Sequence, residues 1–203
     1  MATANNTASN VFSISNFKTA IGKPVRPNLF KAILRGWDDN EYLKQFMSYE
    51  NVTSIEDFSF RCEKAELPGR SIATSDDTGA GGPALKLPYD VTYNDMQLSI
   101  ICSADMKERV FFESWIDSIV RPADFFGGTV GYFEDYARGV TLEVQQLDES
   151  GAVLMSYILQ DVYPTVISPM NATWEEVNSY QRFGVTLFYR YHKFTTGEWN
   201  FTS

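Results

Sequence analysis

Residues 140–160 read VTLEVQQLDESGAVLMSYILQ, and this stretch decides the fold class. From residue 140 to 144, apolar and polar side chains alternate, which is the period of a half-buried strand. Residues 148–151, Asp-Glu-Ser-Gly, then supply turn chemistry. Because the apolar residues 153–160 follow this turn directly, we expect them to return beside the first strand. The stretch therefore predicts an antiparallel β-hairpin.

Further strand-like segments lie on both sides of this hairpin. We predict strands over residues 28–34, 57–63, 96–102 and 183–191. In the last of these, five residues share one face of a single long strand: Phe183, Val185, Leu187, Tyr189 and Tyr191. The pair Tyr163-Pro164 is interpreted as a break between strands, because proline donates no ladder hydrogen bond.

One segment has helical periodicity. Apolar residues recur at a spacing of about 3.6 from residue 106 to 119, and they include Trp115, which we expect to anchor the helix on a sheet. Asp105 and Glu108 resemble a capping box at its start. Residues 41–49 are compatible with either a short helix or a long loop.

These signals together indicate a mainly β protein, an antiparallel β-sandwich or barrel of about seven strands with one main flanking α-helix over about 104–120. We expect residues 1–25 to form an N-terminal arm and residues 26–203 to form a single β domain. Within that domain, residues 36–54 are interpreted as an insertion. The Gly-rich segment 75–88 is interpreted as a flexible loop that becomes ordered only on assembly.

Composition narrows the function classes. The 203 residues carry 17 basic and 26 acidic side chains, a net charge of −9, whereas proteins that grip nucleic acid usually show a basic footprint. Two cysteines do not make a disulfide framework, and we expect both to be small buried side chains. Residues 1–10 lack the pattern of a signal peptide, and the apolar stretches are too short to span a bilayer.

Catalytic and ligand-binding constellations are sparse. The single histidine, His192, is expected at a surface or strand end, without the neighbours that a metal site needs. The Gly-rich residues 79–83 lack the spacing of a phosphate-binding loop. Paired carboxylates are expected to be solvated loop charges; they are Asp38-Asp39, Asp76-Asp77, Glu134-Asp135, Asp148-Glu149 and Glu175-Glu176. We therefore expect no enzyme activity, no cofactor and no resident metal.

Several short motifs, in their order and spacing, resemble the tail tube proteins of contractile-tailed bacteriophages, which are similar to type VI secretion and pyocin tube proteins. They are RPNLF at 26–30, FSFRCEKAELP at 58–68, LPYD at 87–90, FESW at 112–115 and LQDVYP at 159–164. The residues that carry the resemblance are Pro27, Asn28, Phe30, Phe58, Phe60, Cys62, Leu67, Pro68, Asp90, Trp115, Tyr163 and Pro164.

The resemblance implies a structural virion protein that forms rings of six subunits, stacked into the hollow inner tail tube. It implies a surrounding tail sheath, a baseplate or tube initiator and a tape measure protein as partners. Phage DNA would pass through without sequence-specific binding, and the chain would not insert stably in a membrane. Synthesis would take place in the host cytoplasm. Candidate subunit contacts are Phe12, Phe17, Asp76, Asp77, Gly79, Gly81 and Gly82.

Two other functions remain open from the sequence. A tube initiator or baseplate component would share the same motifs. A β-sandwich binding module or hydrolase would instead use carboxylate pairs such as Asp76-Asp77 or Glu175-Glu176.

Overall fold

The computed structural model describes residues 24–49, 61–77, 84–120, 129–174 and 180–196, together with residues 14, 19 and 22. These residues contain ten β-strands, more than the seven or so predicted. The strands are β1 (Phe30–Arg35), β2 (Cys62–Ala65), β3 (Arg70–Asp77), β4 (Leu85–Tyr93), β5 (Met96–Ile101), β6 (Thr141–Leu147), β7 (Val153–Gln160), β8 (Tyr163–Ile167), β9 (Arg182–Phe188) and β10 (Tyr191–Thr196). Three helices accompany them: α1 (Glu41–Tyr49), α2 (Lys107–Ile119) and α3 (Phe133–Tyr136).

The strands form two four-stranded antiparallel sheets and one separate hairpin. Sheet A has the order β1-β6-β7-β10, and sheet B has the order β2-β5-β9-β8. One core lies between the sheets, with Val144 and Leu159 from sheet A packed in the same cluster as Leu98 and Val185 from sheet B. The described residues thus form a sandwich and no closed barrel, which confirms the mainly β antiparallel prediction.

A bent ribbon joins the two sheets. Strand β7 pairs with β10 in sheet A, and the chain continues from β7 into β8, which pairs with β9 in sheet B. Both strands of this ribbon therefore cross between sheets at the same level, at residues 161–162 and 189–190. Two backbone bonds hold the bend, one from the Val162 N–H to the Val140 carbonyl (3.0 Å) and one from the Arg190 N–H to the Gln160 carbonyl (3.0 Å).

The bend corrects three predictions. Residues 183–191 are not one strand, because β9 ends at Phe188 and β10 begins at Tyr191 in the other sheet. Alternation places Tyr189 inside as predicted, but beyond the bend the phase changes, so that His192 is buried instead of Tyr191. His192 is therefore not a surface residue. Tyr163-Pro164 begins strand β8, where proline is tolerated because β8 is an edge strand.

Helix α2 begins later than expected, at Lys107, and its cap is not Asp105. Instead the Ser103 hydroxyl accepts a hydrogen bond from the Lys107 N–H (3.3 Å), and the Glu108 carboxylate accepts one from the Ser103 N–H (2.9 Å). Asp105 forms an exposed ion pair with Lys107. The two bonds are reciprocal, as in a capping box, but they start from Ser103, which lies ahead of Met106. Met106 itself precedes the helix in a left-handed conformation (φ 53°) and caps it with no side-chain bond.

Glu108 also ties this cap to the start of sheet B. Its Oε1 lies 2.8 Å from the Nε of Arg61, next to strand β2, and its side chain is almost wholly buried. Burial alone would raise the pKa of this carboxyl, but hydrogen bonds from Ser103 and the charge of Arg61 outweigh burial and lower it. The carboxylate therefore stays charged where the helix, the sheet and the preceding turn meet.

Helix α2 packs through an aromatic group, as its periodicity predicted. Phe111, Phe112 and Trp115 are buried, and the Phe112 ring meets Phe183 of strand β9 edge-on at 6.2 Å. The indole N–H of Trp115 donates to the carbonyl of Tyr136 (2.9 Å), which fastens helix α3 to helix α2. A buried tryptophan usually finds such an acceptor.

Residues 41–49, left open by the sequence, form helix α1. Asn40 caps it, since its Oδ1 accepts from the N–H groups of Tyr42 (3.0 Å) and Leu43 (3.2 Å). Leu43 is fully buried, and the Tyr42 hydroxyl donates to the Ser118 carbonyl at the end of α2 (3.1 Å). The first part of the predicted insertion thus contributes to the core.

Two boundaries differ from the sequence predictions. The strand expected over 57–63 begins at Cys62 and runs to Ala65, while residues 57–60, with Phe58 and Phe60, lie outside the described part. The flexible loop expected over 75–88 is too long. Residues 75–77 and 85–88 belong to strands β3 and β4, because alternating side chains and a paired ladder continue through them.

We predict that Trp115→Ala lowers the free energy of unfolding by about 3–5 kcal/mol, because it empties a fully buried site and leaves the Tyr136 carbonyl without its donor. Urea unfolding followed by far-UV circular dichroism measures this. Trp174→Ala is the matched control, since Trp174 is fully exposed and its loss should cost less than about 0.5 kcal/mol. Equal stability of the two variants would contradict the packing described for α2.

Candidate assembly surfaces

The β3–β4 hairpin stands apart from the sandwich. All of its strand residues are exposed except Ala73 and Tyr93, which are half-buried. The hairpin leaves the sandwich between β2 and β5, two adjacent strands of sheet B. An isolated two-stranded hairpin is at best marginally stable in water, so this one needs a surface to pack on.

Apolar side chains project from both faces of the hairpin. Near its base, Ile72 (63% exposed) lies opposite Val91. Nearer the tip, Leu85 (62% exposed) and Leu87 lie opposite Asp77 and Ser75, on the other face. A monomer gains nothing by exposing such side chains on two sides. The arrangement suits a hairpin that inserts between two other surfaces.

A bulge lies in the middle of strand β4. Ala73 pairs with Asp90 and Thr74 pairs with Pro88, so that Tyr89 has no partner on β3. Tyr89 is 71% exposed, and the Asp90 carboxylate accepts a hydrogen bond from the Val91 N–H (2.8 Å). The bulge strengthens the local twist and directs the Tyr89 side chain away from the ladder.

The sequence contained the signal for this hairpin. Leu85, Leu87, Tyr89 and Val91 alternate with polar residues or proline, yet the preceding glycines and Pro88 favoured a loop. Of the predicted subunit contacts, Asp76 and Asp77 lie exposed in β3. Phe12, Phe17, Gly79, Gly81 and Gly82 lie outside the described residues.

The motif residues occupy several different environments. Cys62 and Trp115 are in the core, and Phe30 packs against it. Tyr163 and Pro164 open strand β8. The more exposed positions are Pro27 and Asn28 in a turn before β1, Leu67 and Pro68 before β3, and Asp90 in the hairpin. The motifs thus combine core packing with surface turns, and they do not converge on one pocket-like site.

The outward face of sheet A is cationic. Because Ala32 and Val144 point into the core, Lys31 and Arg35 point outward, and Lys193 of β10 lies on the same face. Arg35 lies 3.5 Å from Glu143, whereas Lys31 and Lys193 have no ion-pair partner in the part of the chain that is described. This face contrasts with the net charge of −9 of the whole chain.

Among the strand residues described on that face, Glu143 is the one carboxylate, and it accepts hydrogen bonds from two neighbours. It accepts hydrogen bonds from Gln145 (2.6 Å) and Ser156 (2.8 Å). Partial burial would raise the pKa of Glu143, but these two bonds and the Arg35 charge together lower it. The carboxylate of Glu143 is thus already paired with groups of its own sheet, so it attracts an external cation only weakly.

The outward face of sheet B is mostly uncharged. Gln97 and Ser99 of β5 pair with Thr186 and Gly184 of β9, and alternation directs these small polar residues away from the core. The cations at its margin are paired, Lys64 with Glu66 and Arg182 with Glu63, each at 3.2 Å. The two broad faces of the sandwich therefore differ in electrostatic character.

Catalytic groupings are not found among the described residues. No cluster of three or more His, Cys, Asp or Glu side chains there could hold a metal ion. Burial raises the pKa of the Cys62 thiol to about 12, which keeps it protonated and unreactive. Asp38, Asp39, Asp148 and Glu149 are exposed, and Glu175-Glu176 lies outside the described residues. No helix in the described ranges has the length and apolar character needed to cross a bilayer.

Comparison with solved structures shows the same fold in parts of contractile injection systems. A chain of the PVC sheath–tube complex in its extended state aligns with a TM-score of 0.59 and 14% identity, covering 91% of this chain and 99% of the other. A chain of the PVC sheath/tube terminator gives a TM-score of 0.60 at 13% identity, covering 87% and 99%. A chain of the anti-feeding prophage baseplate gives 0.58 at 11%, covering 88% and 99%.

Sequence comparison gives the family. No curated protein matches significantly. Residues 15–195, however, match the family described as phage tail tube protein, and this range includes the projecting hairpin, all three helices and both sheets up to the last residue of β10. The structural role of that family agrees with a fold that carries assembly surfaces. The chain therefore belongs to the phage tail tube protein family, a structural component of the virion tail.

Proposed function

We propose that this protein is the protomer of an inner tail tube, in which rings of six subunits stack inside a contractile sheath and conduct phage DNA into the host. Family membership supports this proposal. The observation that carries it is the β3–β4 hairpin, whose apolar side chains on two faces need other subunits to cover them. A head-to-tail contact of this kind closes into a ring or continues as a filament.

The partners follow from that position in the particle. The sheath would surround the tube, a baseplate or initiator would start it, and a tape measure protein would occupy it before DNA passes. The chain would be made in the host cytoplasm and act without catalysis. The similarity to chains of a sheath–tube complex supports a place in the tube.

A tube initiator or baseplate ring is the second candidate. It is favoured by the similarity to a chain of the anti-feeding prophage baseplate. Copy number in virions separates the two functions, because a tube protein is present in many rings and an initiator in about one.

We infer that sheet B lines the lumen. Each cation that meets a phosphate adds affinity through counterion release, so a conduit needs a face without free cations. The outward face of sheet B meets that requirement, since Lys64 and Arg182 are paired and its centre is uncharged. Sheet A, with Lys31 and Lys193, would then face outward.

Negative-stain electron microscopy of the purified chain, with its mass from light scattering, tests the tube function. We expect hollow tubes or six-membered rings. A strictly monomeric protein at high concentration, combined with its absence from tubes in virions, would refute a tube protomer. A copy number of about one ring per particle would instead assign the initiator function.

We predict that Leu87→Asn blocks assembly while leaving the folded subunit intact. Leu87 is exposed in the subunit, so its loss should change the free energy of unfolding by less than about 0.5 kcal/mol. Leu154→Asn, which removes a similarly exposed leucine from β7, is the matched control and should still assemble. Microscopy and thermal unfolding together check both variants. If Leu87→Asn formed normal tubes, the hairpin would not be part of the subunit interface.

We predict that Gln97→Lys makes assembled tubes retain DNA, because the substitution adds a cation to the outward face of sheet B in every subunit. Gln160→Lys adds the same charge to the outward side of sheet A and is the control. Retention of labelled duplex DNA inside tubes is measured at increasing salt. DNA retention by Gln97→Lys tubes alone, falling steeply with salt, would support sheet B as the lining of the lumen. Retention by Gln160→Lys tubes and not by Gln97→Lys tubes would overturn it.

A further inference from the structure

The only histidine of the chain is buried where the hairpin joins the sandwich. His192 of strand β10 is 7% exposed, and its imidazole lies among three tyrosine rings. The ring centroids of Tyr93, Tyr157 and Tyr189 lie 5.1, 5.8 and 5.9 Å from that of His192. Tyr93 is the last residue of β4, so the hairpin itself supplies one wall of this enclosure.

Within the described part of the chain, two polar atoms in this enclosure have no hydrogen-bond partner. They are the Nδ1 of His192 and the hydroxyl of Tyr189, whose side chain is 2% exposed. A buried polar group without a partner costs free energy, and an imidazolium there would cost more, because both of its nitrogens must donate. The site therefore accommodates the neutral ring and disfavours its charged form.

The charged groups facing the enclosure come from the base of the hairpin. Arg70, the first residue of β3, lies with its guanidinium 5.8 Å from the Phe194 ring, two residues beyond His192. Asp95 lies in the turn between β4 and β5 and acts on Tyr189. Burial, followed by the charges of Asp95 and Tyr93, raises the pKa of Tyr189 to about 12. Burial first, and then the charge of Arg70, lower the pKa of His192.

We propose that His192 is a proton-operated latch for the β3–β4 hairpin, so that protonation of its imidazole releases Tyr93 and Arg70 from the sandwich. An imidazolium needs water, and displacement of the hairpin base would open the wall of the enclosure that Tyr93 forms. Among the described residues little else holds the hairpin, because its strand residues other than Ala73 and Tyr93 are exposed. The latch orients the hairpin at neutral pH and frees it in acid.

The sign of the effect follows from linkage. In the closed state, the base of the hairpin lies against the sandwich, and the pKa of His192 is below its ordinary value of about 6.5. In the open state the imidazole is hydrated and its pKa returns to that value. The stabilisation of the closed state is therefore complete above about pH 6.5 and is lost as the pH falls through the closed-state pKa. Each unit of lowered pKa permits up to a tenfold change in the open population.

Hydrogen exchange of the chain, prepared without a histidine tag, tests this proposal. After correction for intrinsic rates, we expect residues 70–77 and 85–93 to exchange several-fold faster at pH 5.0 than at pH 7.5, relative to strand β6. His192→Gln cannot take up the proton and should abolish this difference. The same pH dependence in His192→Gln, or none in the parent chain, would overturn the latch.

A second measurement keeps the proposal testable even if His192→Gln does not fold. The single imidazole gives one Hε1 resonance, and its NMR titration reports the pKa directly. We expect a midpoint below 6.5 in the parent chain and a higher one in Arg70→Gln, which removes the facing cation and leaves the histidine. A midpoint at or above 6.5 in the parent chain, or an unchanged midpoint in Arg70→Gln, would contradict it.

Discussion

The ribbon formed by β7–β8 and β9–β10 is the constraint on which the sandwich depends. The backbone N–H and C=O groups of a buried sheet must all find hydrogen-bond partners. A single strand that crossed to the other sheet without its neighbour would lose those partners. Here both strands cross together, so that pairing resumes at Tyr163 and Phe188 on the far side. The two core faces are thereby turned toward each other by one continuous pair of strands.

The bend has a local chemical basis at Asp161. This residue adopts φ 55°, a conformation that aspartate tolerates better than most residues. Its carboxylate accepts a hydrogen bond from the Gly139 N–H (3.2 Å) and lies 3.7 Å from the Arg190 guanidinium of the crossing strand. Asp161 thus connects both crossing segments to the residues that lead into β6.

Alternation in the sequence predicted the strands that stay within one sheet. Strand β7 was placed at its observed bounds and β5 nearly so, whereas β6 runs three residues beyond the predicted alternation, to Leu147. Prediction failed where the chain changes sheets. In the sequence, apolar residues alternate without a break from Phe183 to Tyr191, but in the structure the buried positions shift by one residue after the bend. The burial of His192 depends on that phase change and on Tyr93, ninety-nine residues earlier in the chain, and no local pattern contains it. Of the surface that we propose for assembly, the sequence analysis named the acidic residues of β3 but not the apolar alternation of β4.

The bulge in β4 has a consequence for the aggregation of the free subunit. A free hairpin with two unpaired edges and exposed leucines is a template for indiscriminate strand addition. Pro88 has no backbone N–H to donate, Tyr89 interrupts the regular ladder, and Lys86 and Asp90 place charges within the same strand. These features oppose the addition of further strands to the hairpin edges. They leave the apolar side chains of the hairpin exposed.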